Sequence, residues 1–522
     1  MYNWLDKHTT TKRKRGDGMH VNYSRIVVLG GGTSGWMAAL ALTSGLPHSS
    51  VTVVESEDVG IVGVGEATFP SIRAFHDIVG VNEAEFLRAT NGTYKLGVQF
   101  ADWLEQGSDY FHTFGSLGET DGAGALWGQY LRAHDAAGRK SAAPETLGTL
   151  GEQCLPAVMG MQNRFCMPDP QSGADFAYAY HFDAALYAPF LRNLAIKHGA
   201  TRIEGKVVEV ARRPDGGVAS LRLADGRVIA GDLFIDCSGF ASLLLGKTLG
   251  EPFIDYSDWL PVDRAWACAA ERGAAPLTPY TRAKALEAGW SWRIPLRSRT
   301  GFGHVFSSRH IDEERARAQL LSQMDGTPLG EPRLLRFTTG HRARFWVNNV
   351  VALGLASGFL EPLESTSIYL VQMGIGRLMT ALQNSKSIGD DVKRNYNVGL
   401  LRHYERCRDF IILHYCLTGR RDSQFWRDMV NMALPDTLAF KMHAWRQSGL
   451  LHQYDEEAFY PTSWLAIYAG MNYWPERCDP RYAEVQGDAS ARWLRERRAK
   501  VAQLVGTLPT HEQFLDLVLA QR

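Results

Sequence analysis

Arg25-Ile26-Val27-Val28-Leu29, followed at once by Gly30-Gly31-Gly32-Thr33-Ser34-Gly35, is the stretch that decides the fold. The first five residues form a short apolar run of the kind that makes a buried parallel strand. The glycine turn leads into an apolar helix candidate, Trp36-Met37-Ala38-Ala39-Leu40-Ala41-Leu42, and a second strand candidate, Val51-Thr52-Val53-Val54, ends on Glu55. Strand, glycine turn, helix, strand and acid follow one another in the order of a dinucleotide-binding unit. The first glycine permits the tight turn, the second lets a pyrophosphate approach the backbone, and the third lets the helix pack close to the sheet. The helix start offers backbone N–H groups to phosphate oxygens. Gly30, Gly32, Thr33, Ser34 and Gly35 are therefore the expected cofactor contacts. Glu55, 20 residues after Gly35, is placed to accept hydrogen bonds from a ribose hydroxyl.

Working outward, later segments return to the same sheet. Leu233-Phe234-Ile235-Asp236-Cys237-Ser238-Gly239 reads as a strand closed by a small-residue turn. Asn349-Val350-Val351-Ala352-Leu353-Gly354 reads as a third, running into an apolar helix from about Ile368 to Leu378. Such returns suit a large fold wrapped around extended FAD better than a single NAD unit, although a plain α/β core has the same composition. The expected class is an α/β, FAD-binding, Rossmann-like fold of the flavoprotein monooxygenase type. Residues 1–22 read as a flexible leader, 23–390 as the FAD-binding core with interleaved substrate-binding segments, and 391–522 as a mainly helical C-terminal lobe.

Gross composition narrows the function. Lys+Arg and Asp+Glu both number 56, so no global field favours nucleic acid or an anionic membrane. The basic run is Thr11-Lys12-Arg13-Lys14-Arg15, in a leader whose Met19 is an alternative start. No apolar stretch reaches the roughly 18 residues of a membrane span. The seven cysteines form no Cys-x-x-Cys pair and read as reduced thiols of a cytoplasmic protein. No His-Glu-x-x-His pattern occurs, and no metal site is expected.

Four segments together resemble the flavin-dependent tryptophan halogenases. They are the Gly30–Gly35 turn with Trp36-Met37-Ala38-Ala39; Gly63-Val64-Gly65-Glu66-Ala67-Thr68; Trp290-Ser291-Trp292-Arg293-Ile294-Pro295, similar to the family's W-x-W-x-I-P signature; and Phe359-Leu360-Glu361-Pro362-Leu363-Glu364-Ser365-Thr366. The likeness also runs through His181-Phe182-Asp183-Ala184 and Glu251–Asp258. It implies an FADH2-dependent halogenase that forms hypohalous acid at a C4a-hydroperoxyflavin and halogenates an electron-rich, indole-type aromatic. It further implies chloride or bromide as halide, a separate flavin reductase acting transiently, and FAD contacts at Gly65, Glu66, Ala67 and Ile368. A homodimer is left open.

Hypohalous acid attacks indiscriminately, so the protein must carry it away from water to one ring carbon, then remove a proton from the ring. Lys95, in Asn91-Gly92-Thr93-Tyr94-Lys95-Leu96, aligns with the family's catalytic lysine. Its ammonium polarises the oxidant or its amine forms a haloamine; the bland alternative is a surface lysine on a helix. Glu364 aligns with the essential glutamate, against the alternative of a loop or cap residue, after Pro362 and in or near the first turn of the next helix. The backbone of Thr366 and Ser367 is the expected halide cradle, with Ser367 standing where the family usually has glycine. Trp290 and Trp292 correspond to a steric wall beside the flavin, although period-two spacing also predicts a plain strand face. His112, Phe114 and Trp464 match substrate-lining positions. The stretch from Leu451 to Thr462 is shorter than in halogenases of free tryptophan. That points to a more open pocket, suited to indole, a substituted indole, another electron-rich arene or a peptide-bound residue. Two rivals stand beside this reading. One is a flavin-dependent aromatic hydroxylase, which the tryptophan pair argues against. The other is a non-catalytic flavin-fold platform, which retention of both Lys95 and Glu364 argues against.

Overall fold

The computed structural model describes residues 23–57, 65–115, 123–137, 147–169, 171, 176–477 and 485–520. The leader with its basic run and Met19, together with Gly63, Val64 and Cys478, lies outside the described residues. The chain forms two compact units, each assembled from three separated segments. The described residues of one unit fall within 1–90, 182–260 and 337–405; those of the other fall within 91–181, 261–336 and 406–522.

The first unit is built on the opening strand, β1 (Arg25–Leu29), the helix α1 (Thr33–Gly45) and the strand β2 (Ser50–Glu55). Its six-stranded sheet runs Trp346–Val347, Val350–Ala352, Leu233–Asp236, β1, β2, Thr201–Glu204. Neighbours are parallel except Trp346–Val347, which doubles back on Val350–Ala352. Register brings Val28 between Ile235 on one edge and Val53 on the other, so a row of β-branched side chains crosses the sheet on one face. Val27, Leu29, Val54, Phe234 and Val350 belong to one core cluster. Trp36 through Leu42 are all buried, so α1 is apolar all round and draws its stability from packing on every side.

The second unit carries a seven-stranded sheet: Arg333–Arg336, Arg264–Glu271, Arg299–Phe306, Gly289–Pro295, Thr281–Ala285, Gly97–Ala101, Asp109–Thr113. Its pairs are antiparallel except Thr281–Ala285 with Gly97–Ala101. Helices dominate the C-terminal third, from Asp390–Cys416 to His511–Ala520. The first of these begins in the segment that belongs to the first unit, which extends to Glu405 and so past residue 390.

Candidate functional site

In the first unit, the glycine turn has the geometry its sequence called for. Gly30 adopts φ +113°, and a Cβ there would lie 2.2 Å from the Cys237 carbonyl oxygen. Only glycine satisfies both constraints. A Cβ on Gly35 would lie 1.9 Å from the Gly30 carbonyl oxygen, which is how closely the helix sits on the turn. Gly32 caps α1 with no side-chain hydrogen bond, and a Cβ there would meet nothing within 4 Å. The helix start, with Thr33 and Ser34 in its first turn, thus faces open space. That is the geometry a pyrophosphate needs.

Gly31, to which the sequence assigns no contact, makes room for Glu55: a Cβ there would lie 1.4 Å from Glu55 Oε2. The Glu55 carboxylate accepts from Trp36 Nε1 at 3.1 Å, pairs with Arg202 and reaches Arg192 at 3.5 Å. A carboxylate has about four lone-pair sites, so it retains capacity for a further hydroxyl donor. Gly65, Glu66 and Ala67 form a short strand, with Gly65 and Ala67 buried. Glu66 keeps part of its side chain in solvent, yet desolvation raises its carboxyl to about 7. It therefore carries a proton for part of the time at neutral pH.

Glu364 lies in a single turn, Leu363–Ser365, ahead of the Thr366–Asn384 helix. It is not in that helix's first turn, where a simple cap would stand. It is 2% exposed and holds φ 63°; Ser365 follows with φ 60°. Two successive left-handed residues without glycine are uncommon and swing the chain sharply into the helix. Ser365 makes no side-chain cap bond to the helix start. Thr366 Oγ1 is buried there without a hydrogen-bond partner among the described residues. Backbone N–H groups at a helix entry beside an unsatisfied hydroxyl suit a halide. Ser367 is half-buried and Ile368 buried in the same turn.

In the second unit, Lys95 closes the strand Thr93–Lys95 and is 0% exposed, so the surface-helix alternative falls. Its Nζ lies 5.0 Å from the Phe114 ring centre. From Phe114 an aromatic series continues: His112 at 6.2 Å, then Phe410 and Phe459 at 5.6 and 6.1 Å from His112. Phe410 stacks on Phe459 at 3.8 Å and meets Trp464 edge-on at 5.3 Å. Trp464 is buried in the Pro461–Gly470 helix, with its indole N–H unpartnered among the described residues. The structure thus gathers Lys95, His112, Phe114 and Trp464 along one aromatic series. Sequence reasoning missed Phe410 and Phe459. Phe410 hid in an apolar helix run, and Phe459 in the short Leu451–Thr462 stretch.

Trp290 and Trp292 are buried on the strand Gly289–Pro295, with ring centres 6.1 Å apart. The Trp292 ring lies over Gly303 of the neighbouring strand, where a Cβ would come within 2.0 Å of it. Among the described residues no cluster of His, Cys, Asp or Glu could hold a metal ion, and no helix is long and apolar enough to cross a membrane.

Comparison with known proteins decides the family. The family model described as Tryptophan halogenase matches residues 25–487. This chain belongs to the tryptophan halogenase family. The tryptophan 6-halogenase SttH of Streptomyces toxytricini is 34% identical, over 94% of this chain and 98% of its own. Among solved structures, a flavin-dependent halogenase from Xanthomonas campestris superposes with TM-score 0.89 at 40% identity, covering 95% of this chain and 98% of that one. BrvH, a flavin-dependent halogenase from a Brevundimonas species, gives 0.88 at 42%, covering 95% and 99%. The protein is accordingly a flavin-dependent halogenase, an oxidoreductase that uses FADH2 and a halide. Its fold is the FAD-binding, Rossmann-like fold expected from the opening glycine turn. The family takes reduced flavin from a separate reductase and acts on small aromatic substrates. The aromatic-hydroxylase alternative is not favoured.

Proposed function

We propose that this halogenase acts on an indole-type arene other than free tryptophan, with Lys95 as the oxidant carrier and Glu364 as the second catalytic group. The observation that carries the proposal is the fully buried Lys95 side chain, its Nζ beside Phe114 at the head of an aromatic series. A flat electron-rich ring fits between aromatic faces, each pairing adding about 0.5–1.5 kcal/mol beyond burial. Bound reduced FAD, with oxygen and halide, supplies the hypohalous oxidant.

The chain's own residues do the rest. Gly30, Gly32, Thr33, Ser34 and Gly35 hold the pyrophosphate, Glu55 the ribose, and Gly65, Glu66, Ala67 and Ile368 the remainder of the cofactor. The Thr366 and Ser367 backbone holds the halide. Trp290 and Trp292 keep organic substrate from the flavin, so that halide is oxidised first. The Lys95 ammonium donates a hydrogen bond to hypohalous acid and directs its halogen to one ring carbon. The Glu364 carboxylate orients the oxidant and accepts the proton that the halogenated ring releases. His112, Phe114 and Trp464 position the substrate. The reductase is a transient partner, the compartment is the cytoplasm, and a homodimer is compatible with all of this.

The test is mass spectrometry of a reductase-coupled reaction offering indole and tryptophan, each with chloride and then bromide. A halogenated indole, absent with Lys95→Ala while FADH2 oxidation continues, is expected. Preferential halogenation of free tryptophan would overturn the substrate assignment. Unchanged product in Lys95→Ala would overturn the role of the lysine.

A further inference from the structure

The segment His181-Phe182-Asp183-Ala184 belongs to the family likeness but has no part in the chemistry above. Asp183 accounts for itself by capping the Ala184–Lys197 helix through the Ala185 N–H. His181 is fully buried, and its hydrogen bonds fix its tautomer. Thr93 Oγ1 donates to the Pro295 carbonyl at 2.9 Å, leaving only lone pairs for His181 Nδ1 at 3.2 Å. Nδ1 therefore carries the hydrogen and donates. Nε2 of the neutral ring then accepts from Thr281 Oγ1 at 2.9 Å. Burial, with the positive charges of Lys95 and Arg293 nearby, keeps this imidazole from protonating.

The neighbourhood explains what such a ring is for. Thr93 pairs with His181 and Lys95 with Ala179 across the antiparallel strands. Thr93, Lys95, Ala179 and His181 thus lie on one face of this pair, since side chains two apart point the same way. Pro295, which receives the Thr93 hydroxyl, ends the strand that carries Trp290 and Trp292. A second histidine grips the same short strand: His511 Nε2 accepts the Tyr94 N–H, and its Nδ1 donates to the Leu277 carbonyl, both at 3.1 Å. A three-residue strand has little pairing of its own, so these side chains set where its last residue stands.

We propose that His181 is the positioning residue for Lys95: its Nδ1–H to Thr93, relayed to Pro295, registers the lysine strand against the tryptophan strand and fixes the ammonium. This rests on the role given to Lys95 above. An ångström of drift at a carrier group typically costs up to about a hundredfold. The oxidant then escapes to water, and halogenated product per FADH2 consumed falls even though flavin oxidation does not.

The experiment compares His181→Asn, whose amide reaches the Nδ1 position, with His181→Gln, whose amide reaches only towards Nε2. Two quantities are read on folded, full-length protein. One is halogenated product per FADH2 oxidised, and the other is acetic anhydride labelling of Lys95 without flavin, mapped by peptide mass spectrometry. The proposal expects roughly tenfold loss of product per FADH2 and faster Lys95 labelling in His181→Gln, with both largely restored in His181→Asn. A merely structural role lowers the amount of folded protein but moves neither quantity. Wild-type values in His181→Gln, or equal losses in both variants, would overturn it. If the wild type makes no halogenated product while Lys95 labelling still responds to His181, the failure belongs to the proposed function and not to the positioning.

Discussion

The Lys441 ammonium sits 3.6 Å from the ring centre of Trp464 and 2.5 Å from a Glu457 carboxylate oxygen. All three side chains are buried. Desolvation draws the Lys441 pKa below its ordinary value, against the pull of Glu457, and the tryptophan face supplies further attraction to the cation. Removing one partner of a buried pair strands the other charge. Lys441→Met should therefore destabilise the protein by about 3–5 kcal/mol, whereas Lys441→Met with Glu457→Leu should recover most of that loss. Urea unfolding of the two variants checks this. Equal losses would mean that the pair itself supplies the stability.

Glu364→Gln should cut halogenation at least about a hundredfold while leaving FAD binding intact, since amide and carboxylate have the same shape but the amide is no base. Product formation and flavin titration are measured on the same preparation. A variant turning over at the wild-type rate would reduce Glu364 to a turn residue.

Two glycines should respond oppositely to alanine. Gly303→Ala drives a methyl into the Trp292 ring and should destabilise by about 1–3 kcal/mol, read from urea midpoints. Gly32→Ala meets no neighbour and should change stability by less than about 1 kcal/mol. Its methyl instead enters the space assigned to the pyrophosphate, so FAD affinity should fall at least about tenfold, as measured by fluorescence titration. Unaltered FAD affinity would move the cofactor away from this turn.

Acid should weaken the fold through its buried histidines. Burial pushes His76 and His511 down to about 3 and His134 and His304 to about 4, from 6.5. Their neutral forms are favoured by folding, so their contribution is complete above 6.5 and is lost as pH falls towards those folded values. Glu66, raised to about 7, acts in the opposite sense: its contribution is complete below 4.5 and is lost as pH rises through 7. Four histidines against one carboxyl predict a lower urea midpoint at pH 5 than at pH 7. A midpoint that does not move would show these rings to be hydrated.

What the sequence disclosed was local. The run 25–29 is the strand, the glycine turn has the required backbone, and the helix and second strand follow at Thr33–Gly45 and Ser50–Glu55. Each depends on residues only a few positions apart. The aromatic series joins Phe114 to Phe410, Phe459 and Trp464 across hundreds of positions, with no periodicity to announce it. The fit of Trp292 over Gly303 is a cross-strand match, visible only once register is known. The left-handed step at Glu364 was not legible either: Pro362 signals a nearby helix start, but nothing in the local sequence announces a positive φ at a residue that is not glycine. Compactness, too, is non-local: each unit is assembled from three pieces of chain, and no composition shift marks their edges.

The paired left-handed residues Glu364 and Ser365 carry a consequence for engineering. Each costs on the order of 1 kcal/mol that glycine would avoid. A thermostability campaign guided by backbone statistics would nominate this bend first, and heat resistance would improve as glycines replaced the two side chains. On the role proposed for Glu364, the same library ranked by halogenated product would discard those clones. If Glu364 has the role proposed for it, screening this halogenase for melting temperature alone selects against the carboxylate the reaction needs, and activity should be scored in every round.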